Sequence, residues 1–281
     1  MSGPRLVRSA DDTPIAVFEL AGDGRSLLLV HGTTADHTTW RVSGPLLAKR
    51  FRVVAMDRRG RGASADGEAY SIEREFDDVA AVVDTLATEA GRPIDIVGHS
   101  YGGRVALGAA LRTASLRRVV AYESAPTNDG PSYLPPGVRD RLAELSRAGD
   151  HEAMLAAFMT EVVGLTADDL ARFRADAVWP KRVAAAGTIL REVDGEASGL
   201  ASLEVLGSVT IPVLQVLGSA SLAAFARAVA ALDARLPNGR VVVIDGARHA
   251  AHHTHAERFV AEVAAFLEEP ESPAIRATLP A

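Results

Sequence analysis

The chain contains no cysteine. That excludes disulfides, thiolate metal sites and a cysteine nucleophile. It is nearly devoid of lysine, with only Lys49 and Lys181 among its 30 basic residues, and 36 acidic residues leave a net charge of -6. No Lys/Arg cluster supplies the basic footprint that nucleic acid needs, so nucleic acid is not an expected partner. No apolar run reaches the about eighteen residues of a membrane span, so no membrane association is expected. The opening Met1-Ser2-Gly3-Pro4-Arg5 lacks the apolar core of a signal peptide. A soluble, cytoplasmic protein is the expectation, and the Ala/Arg-rich, Lys-poor usage points to a GC-rich bacterial genome.

What is present is an apolar-rich chain of 281 residues, 48% hydrophobic and 23% charged, which is the composition of a soluble globular enzyme. The length suits one large domain or a core with an inserted lid. Short runs at residues 6–8, 14–20, 26–30, 51–56, 94–97, 117–122, 211–217 and 240–244 read as strands. The run Leu27-Leu28-Leu29-Val30 is apolar without alternation, as in strands buried on both faces of a parallel sheet. Helical patterns lie between the runs: residues 39–49, a stripe of Phe76, Val79, Val83 and Leu86, one of Leu222, Phe225, Val229 and Leu232, and a last one of Phe259, Val263 and Phe266. This alternation predicts an α/β fold, a mostly parallel central sheet with helices on both faces.

From Pro131 to about Leu206 strand character vanishes and four helical segments take over. The expected organisation is therefore a core over residues 1–130 and 207–270, a helical cap or lid over 131–206, and a frayed, Pro-rich tail over 271–281. Ligands in such sheets bind beyond the carboxyl ends of the strands. The loops that follow the strands, at residues 31–36, 57–64, 99–102 and 123–129, should gather on one rim.

One of those loops carries chemistry. The strand-like Ile94-Asp95-Ile96-Val97 runs into Gly98-His99-Ser100-Tyr101-Gly102, and an alanine-rich helical segment follows directly. Strand, tight turn and helix in that order give Gly-x-Ser-x-Gly its mechanical meaning, because the turn forces the serine into an unfavourable backbone conformation and lifts its hydroxyl clear of the sheet. Gly98 and Gly102 are needed where a side chain would strike a neighbouring strand or helix. Ser100 is thus a candidate nucleophile; the plainer alternative is a buried serine capping the next helix. A serine hydroxyl attacks only when a base removes its proton and a third group orients that base.

Four motifs in order resemble the α/β-hydrolase superfamily: His31-Gly32, Asp57-x-Arg59-Gly60-x-Gly62-x-Ser64, Gly98-x-Ser100-x-Gly102, and Gly246-Ala247-Arg248-His249. The resemblance covers nearly the whole chain. It implies an α/β-hydrolase fold with a helical lid, Ser100 as nucleophile, His249 as base, and an oxyanion hole built from the backbone N–H groups of Thr33 and Tyr101, with Thr34 as the alternative second donor. It implies no cofactor and no metal. The Asp57–Arg59 segment and His99 are structural in that family. His249, His252, His253 and His255 have spacings that also suit a metal site, but no His-Glu-x-x-His motif or carboxylate at ligand spacing accompanies them.

The third triad member departs from the family pattern. The family places an acid in a Gly-x-x-Asp segment beyond the strand that follows the lid, and here that segment reads Gly218-Ser219-Ala220-Ser221. Some relatives carry the acid directly after the sixth strand, where this chain has Glu123. Glu123 is the expected orienter, with Asp129 in the same loop as runner-up and Asp245 as a poorer candidate. Thr34, Trp40, Phe158 and Trp179 are expected to line the substrate pocket, with the Tyr101 ring, Phe173 and Leu190 as further candidates that could equally be packing residues.

The expected function is a serine hydrolase that cleaves a carboxylic ester, lactone or thioester of a small, apolar acyl substrate through an acyl-enzyme on Ser100. One alternative is a non-hydrolytic enzyme on the same fold, performing a lyase, C–C cleavage or cyclase step. Another is a ligand-binding pseudoenzyme or receptor, supported by the missing aspartate near Ser221. Serine at the elbow argues against the haloalkane dehalogenase and epoxide hydrolase branches, whose nucleophile is an aspartate.

Overall fold

The computed structural model describes residues 3–124 and 134–270. Among the described residues eight strands form a single sheet: β1 (Arg5–Arg8), β2 (Pro14–Ala21), β3 (Arg25–Val30), β4 (Phe51–Met56), β5 (Ile94–His99), β6 (Leu116–Tyr122), β7 (Val213–Gly218) and β8 (Gly239–Ile244). Their spatial order is β1-β2-β4-β3-β5-β6-β7-β8. β2 runs antiparallel to β1 and β4, and every other neighbouring pair is parallel. The mostly parallel α/β sheet expected from the strand–helix alternation is the one the chain forms. β3 shows why its sequence is apolar throughout: Leu27 and Leu29 pack into the layer on one face, Leu28 and Val30 into the layer on the other.

The core helices in the first half are α1 (Ser43–Leu47), α2 (Ile72–Ala90) and α3 (Tyr101–Ala109). The pattern over residues 39–49 is not one helix but a 3-10 turn (His37–Trp40) followed by α1. Pro45 has no N–H with which to continue the hydrogen-bond ladder from the turn. α2 begins at Ser71, whose hydroxyl accepts from the N–H of Arg74, and stops at Gly91 in the left-handed conformation. Its face of Ile72, Phe76, Val79, Val83 and Leu86 is fully buried with α3 against one side of the sheet.

Between β6 and β7 come α4 (Val138–Arg147), α5 (His151–Ala157), α6 (Ala167–Ala175), α7 (Trp179–Ala184), α8 (Ile189–Gly195) and α9 (Leu203–Leu206). Leu142, Met154, Leu155, Trp179 and Ile189 make an apolar cluster that belongs to this helical insertion. Leu203 and Leu206 instead join the core layer under α2 and α3. The remaining helices are α10 (Ala223–Asp233), α11 (Ala251–Thr254) and α12 (Ala256–Glu268), the last packing with α1 on the opposite face. Among the described residues no helix is long and apolar enough to cross a membrane. Asp129 and the tail over 271–281 lie outside the described residues.

Candidate active site

The carboxyl ends of the parallel strands bring His31, Asp57, Ser100, Glu123, Ser219 and Asp245 to one rim. Ser100 directly follows β5 at φ 55° and ψ -126°. A non-glycine residue rarely holds a positive φ, and the strain is sustained by over-determined surroundings. Its N–H donates to the carbonyl of Tyr122 at 2.8 Å, pinning the turn to β6. The two glycines are required sterically: a Cβ on Gly98 would overlap the backbone of Gly102 and Gly103, and one on Gly102 would overlap the carbonyl oxygens of Val30 and His31. The serine hydroxyl cannot cap α3 by the usual side-chain bond, and none forms.

His249 sits in the turn after β8, where Nδ1 meets Oε2 of Glu123 at 2.6 Å. Glu123 is fully buried, and its other oxygen accepts from the N–H of Gly218 at 2.8 Å and the hydroxyl of Ser221 at 2.6 Å. Both oxygens of the carboxylate are therefore occupied, and its orientation is set from two loops. An Nδ1 that faces a carboxylate carries the proton, which leaves Nε2 as the unprotonated nitrogen of His249. Ser100 and His249 line the same cavity of about 310 Å³. Asp245, the poorer candidate, is exposed and accepts from Ser219, while Asp233 faces Gln215.

The loop that carries His249 is braced by aromatic and imidazole groups. The Tyr122 hydroxyl donates to the carbonyl of Arg248 and accepts from the N–H of Ala251 at 2.8 Å. His99 Nε2 donates to the carbonyl of His249 at 2.7 Å, and Phe225 stacks on the His249 ring at 4.5 Å. Burial, and then the neighbouring His249, hold His99 well below the usual imidazole range, so it stays neutral as this donor. His31 is a second bracket: Nδ1 donates to the carbonyl of Gly32 at 2.8 Å and Nε2 accepts from the N–H of Arg58 at 3.0 Å. Burial and the adjacent Arg58 keep it neutral as well. Among the described residues no three His, Asp or Glu side chains converge as metal donors.

The charges of the 57–64 loop brace the rim. Asp57 accepts from the N–H of His37 at 2.7 Å and of Ala63 at 2.8 Å, and the space a Gly62 Cβ would need is filled by its carboxylate. Arg59 makes two 2.6 Å bonds to Asp78. Arg58 is wholly buried between Glu75, in a paired contact at 2.6 and 2.7 Å, and Glu192 of α8 at 2.6 Å; Arg61 also pairs with Glu192. Core and insertion are thus joined through a buried ion network, a connection that neither motif spacing nor composition signals.

The pocket residues expected from the sequence divide. Thr33 and Phe158 line the Ser100 cavity, as does Phe173. Trp40 does not: it is 0% exposed, packed under the sheet with Leu47 and Phe259 and against the ring of His252. Trp179 is core of the helical insertion, edge-on to Phe173, and Leu190 packs in the same cluster. Thr34 takes φ 57°, which reverses the chain after Thr33 and turns its side chain toward a neighbouring cavity of about 530 Å³. The Tyr101 ring also points away, with its hydroxyl 2.7 Å from that of Tyr70 and the Arg58 guanidinium over its face. Large aromatics beside a motif were expected at the pocket, but their apolar area is better buried in the layers. Met159, Val163, Leu165, Val178 and Arg182 of the insertion complete the cavity wall without any motif to mark them, and His252 and His253, from the histidine cluster after His249, border it too.

The serine elbow, the histidine turn and the parallel sheet together define an α/β-hydrolase, and the chain belongs to the alpha/beta hydrolase family, whose profile matches residues 27–262. It is 36% identical over 132 residues to the probable oxidoreductase EphD of Mycobacterium tuberculosis, a match that spans 46% of this chain and 22% of that protein. It is 29% identical over 260 residues to the 2-(acetamidomethylene)succinate hydrolase of Mesorhizobium japonicum, covering 88% of this chain and 89% of that one. The crystal structure of an alpha/beta hydrolase from Sphaerobacter thermophilus superposes with a TM-score of 0.75 at 29% identity, covering 92% of this chain and 99% of that chain.

Proposed function

We propose that the chain is a serine hydrolase that cleaves a carboxylic ester, lactone or thioester of a small acyl substrate through an acyl-enzyme on Ser100. The observation that carries this reading is the 2.6 Å contact between Glu123 and His249 at a cavity that Ser100 also lines. With Nδ1 protonated toward Glu123, Nε2 of His249 takes the Ser100 proton as the hydroxyl oxygen attacks the carbonyl carbon. The N–H groups of Thr33 and Tyr101 stabilise the oxyanion, and His249 returns the proton to the departing alcohol or thiol. Water then attacks the ester on Ser100, giving its proton to His249, and the acid leaves as the serine is regenerated. These steps need no cofactor or metal.

The apolar wall of Phe158, Met159, Val163, Leu165 and Val178 suits the hydrocarbon part of such a substrate, and a volume of about 310 Å³ suits a small one. Similarity over 88% of the chain to a protein named a hydrolase of a succinate derivative supports hydrolysis over the lyase and cyclase alternatives. The receptor reading rests on the missing aspartate near Ser221, and the 2.6 Å contact of Glu123 with His249 argues against it. The test is a panel of chromogenic esters, lactones and thioesters of graded chain length, assayed with the wild type and Ser100→Ala. Turnover of at least one class, abolished by the substitution, is the expected result; no turnover in either protein, or equal turnover in both, contradicts the reading.

A further inference from the structure

One stretch of the cavity wall is polar and carries unmatched positive charge. Arg182, from α7, extends to the cavity with its guanidinium donating to the carbonyl of Thr33 at 3.3 Å and to the Thr39 hydroxyl at 3.4 Å. Among the described residues it makes no ion pair. The carboxylates on the same wall pair with other arginines: Asp176 with Arg41, which also lines the cavity, at 3.1 Å, and Asp169 with Arg172. Asp36 nearby caps the following turn by accepting from the N–H of Thr38 at 2.9 Å. Arg248, also on the wall, donates to the carbonyl of Gly164 at 3.4 Å, and with Arg41 and Arg182 it gives the lining more positive than negative charge against Asp169 and Asp176.

Buried hydrogen-bonding capacity lies beside this charge. His252 lines the cavity at 1% exposure, and among the described residues neither of its ring nitrogens has a partner. An orphaned buried polar group is costly and calls for an explanation. His253 Nε2 lies 3.4 Å from the Thr39 hydroxyl. Burial, reinforced for His253 by Arg41 and Arg182, keeps both rings neutral, with His253 pulled down to about 4. A neutral imidazole offers one N–H donor. Arg182 itself, lowered by burial to about 10, remains a cation at neutral pH.

We infer that this wall is a carboxylate subsite, and that the substrate is a short-chain acyl compound bearing a free carboxylate a few bonds from its scissile carbonyl, held by Arg182. The inference rests on the serine-hydrolase reading for the position of that carbonyl. Arg182 bonds at 3.3 Å to the carbonyl of Thr33, the residue whose N–H serves as oxyanion donor, so one residue and two hydrogen bonds, together under about 10 Å, link the cation to the oxyanion position. That spacing selects a short chain. A carboxylate would meet the guanidinium fork in the manner arginine favours, with the Thr39 hydroxyl and a histidine N–H beside it.

The test compares monomethyl glutarate with dimethyl glutarate, which share the scissile ester and differ in the free carboxylate. Wild type is expected to favour the monoester in kcat/KM by about tenfold or more, and Arg182→Gln to collapse that ratio by about ten- to hundredfold, mainly through KM. Arg182→Lys should restore part of it. A separate arm measures glutarate binding to Ser100→Ala by calorimetry, where adding Arg182→Gln should weaken binding by a similar factor. Equal use of both esters by the wild type, or an equal loss on both in Arg182→Gln, makes Arg182 a latch between insertion and core and overturns the inference. If neither ester is cleaved but glutarate binds through Arg182, the subsite stands and the hydrolase reading fails. If glutarate neither binds nor is favoured as its monoester, the subsite fails whatever the protein does to neutral esters.

Discussion

Ser221 donates its hydroxyl to Oε1 of Glu123 at 2.6 Å, and so serves from the β7 loop the same carboxylate that meets His249 from the end of β6. The family pattern has an aspartate at the position Ser221 occupies. Here the charge sits on the neighbouring strand end, and the residue left at the usual place steadies it by a hydrogen bond. Glu123 carries φ 44°, and that backbone turn delivers its side chain across β7 toward His249. Glu123→Gln keeps the shape but presents an amide N–H to Nδ1, which favours the wrong tautomer. Turnover should fall by about a hundred- to ten-thousandfold with the thermal midpoint little changed. Rates within threefold of wild type would remove Glu123 from the relay.

The same relationship predicts a rescue. Glu123→Ala should be as inactive as Glu123→Gln. Adding Ser221→Asp restores a carboxylate from the adjacent loop, and the double variant should regain about tenfold or more of the lost kcat. A double variant no better than Glu123→Ala would mean that the β7 loop does not point its side chain at His249.

Gly102→Ala should cost about 3 kcal/mol or more in urea unfolding, because the added Cβ meets backbone oxygens of β3 and the His31 loop that cannot move aside. Gly137→Ala, where nothing lies within 4 Å of the new Cβ, is the control; its φ of 80° still makes it a strained site, so a smaller loss is expected there. Equal losses at the two positions would show that backbone conformation, not close approach, accounts for the elbow glycine.

Glu192→Ala leaves Arg58 and Arg61 buried with half their compensation gone, and should destabilise the fold by about 3 kcal/mol or more. Because Glu192 is on α8, limited proteolysis of the variant should begin in the helical insertion. A loss below about 1 kcal/mol would mean that Glu75 alone satisfies Arg58.

Stability should also fall on mild acidification. His99 and His252 are held well below the usual imidazole value by burial, and His253 is lowered to about 4. The folded chain stays neutral at these positions while the unfolded chain takes up protons below about 6.5. Their contribution is therefore intact above about pH 6.5 and is lost toward pH 4, at up to about 1.4 kcal/mol per pH unit for each histidine. Urea midpoints between pH 7.5 and 5 should drop, and His252→Phe should flatten the slope. A flat wild-type profile would contradict the neutral assignment.

Sequence periodicity disclosed the sheet well because burial on both faces leaves a continuous apolar signature, as in β3, and on one face a three- and four-residue stripe, as in α2. The elbow was legible because Gly98 and Gly102 are sterically forced. The pocket wall was not. Trp40 and Trp179 advertise size and apolarity, which serve a core as well as a pocket, and only the fold decides which. Arg182 gave no signal because it is remote from every motif, and His252 stood out only as one of a histidine cluster; what matters about them, a cation with no ion pair and a ring with no hydrogen-bond partner among the described residues, is a property of three-dimensional packing. The ion network of Arg58, Arg61 and Glu192 joins residues more than a hundred positions apart and was hidden for the same reason.

The central claim is that Ser100 is an activated nucleophile. The most direct measurement is the intact mass of the protein after brief exposure to a fluorophosphonate, comparing wild type with Ser100→Ala and Glu123→Gln. The account predicts one stoichiometric phosphonyl adduct located on Ser100 in the wild type, slow labelling in Glu123→Gln, and none in Ser100→Ala. A folded wild type that remains unlabelled, or an adduct that persists when Ser100 is replaced, would contradict it.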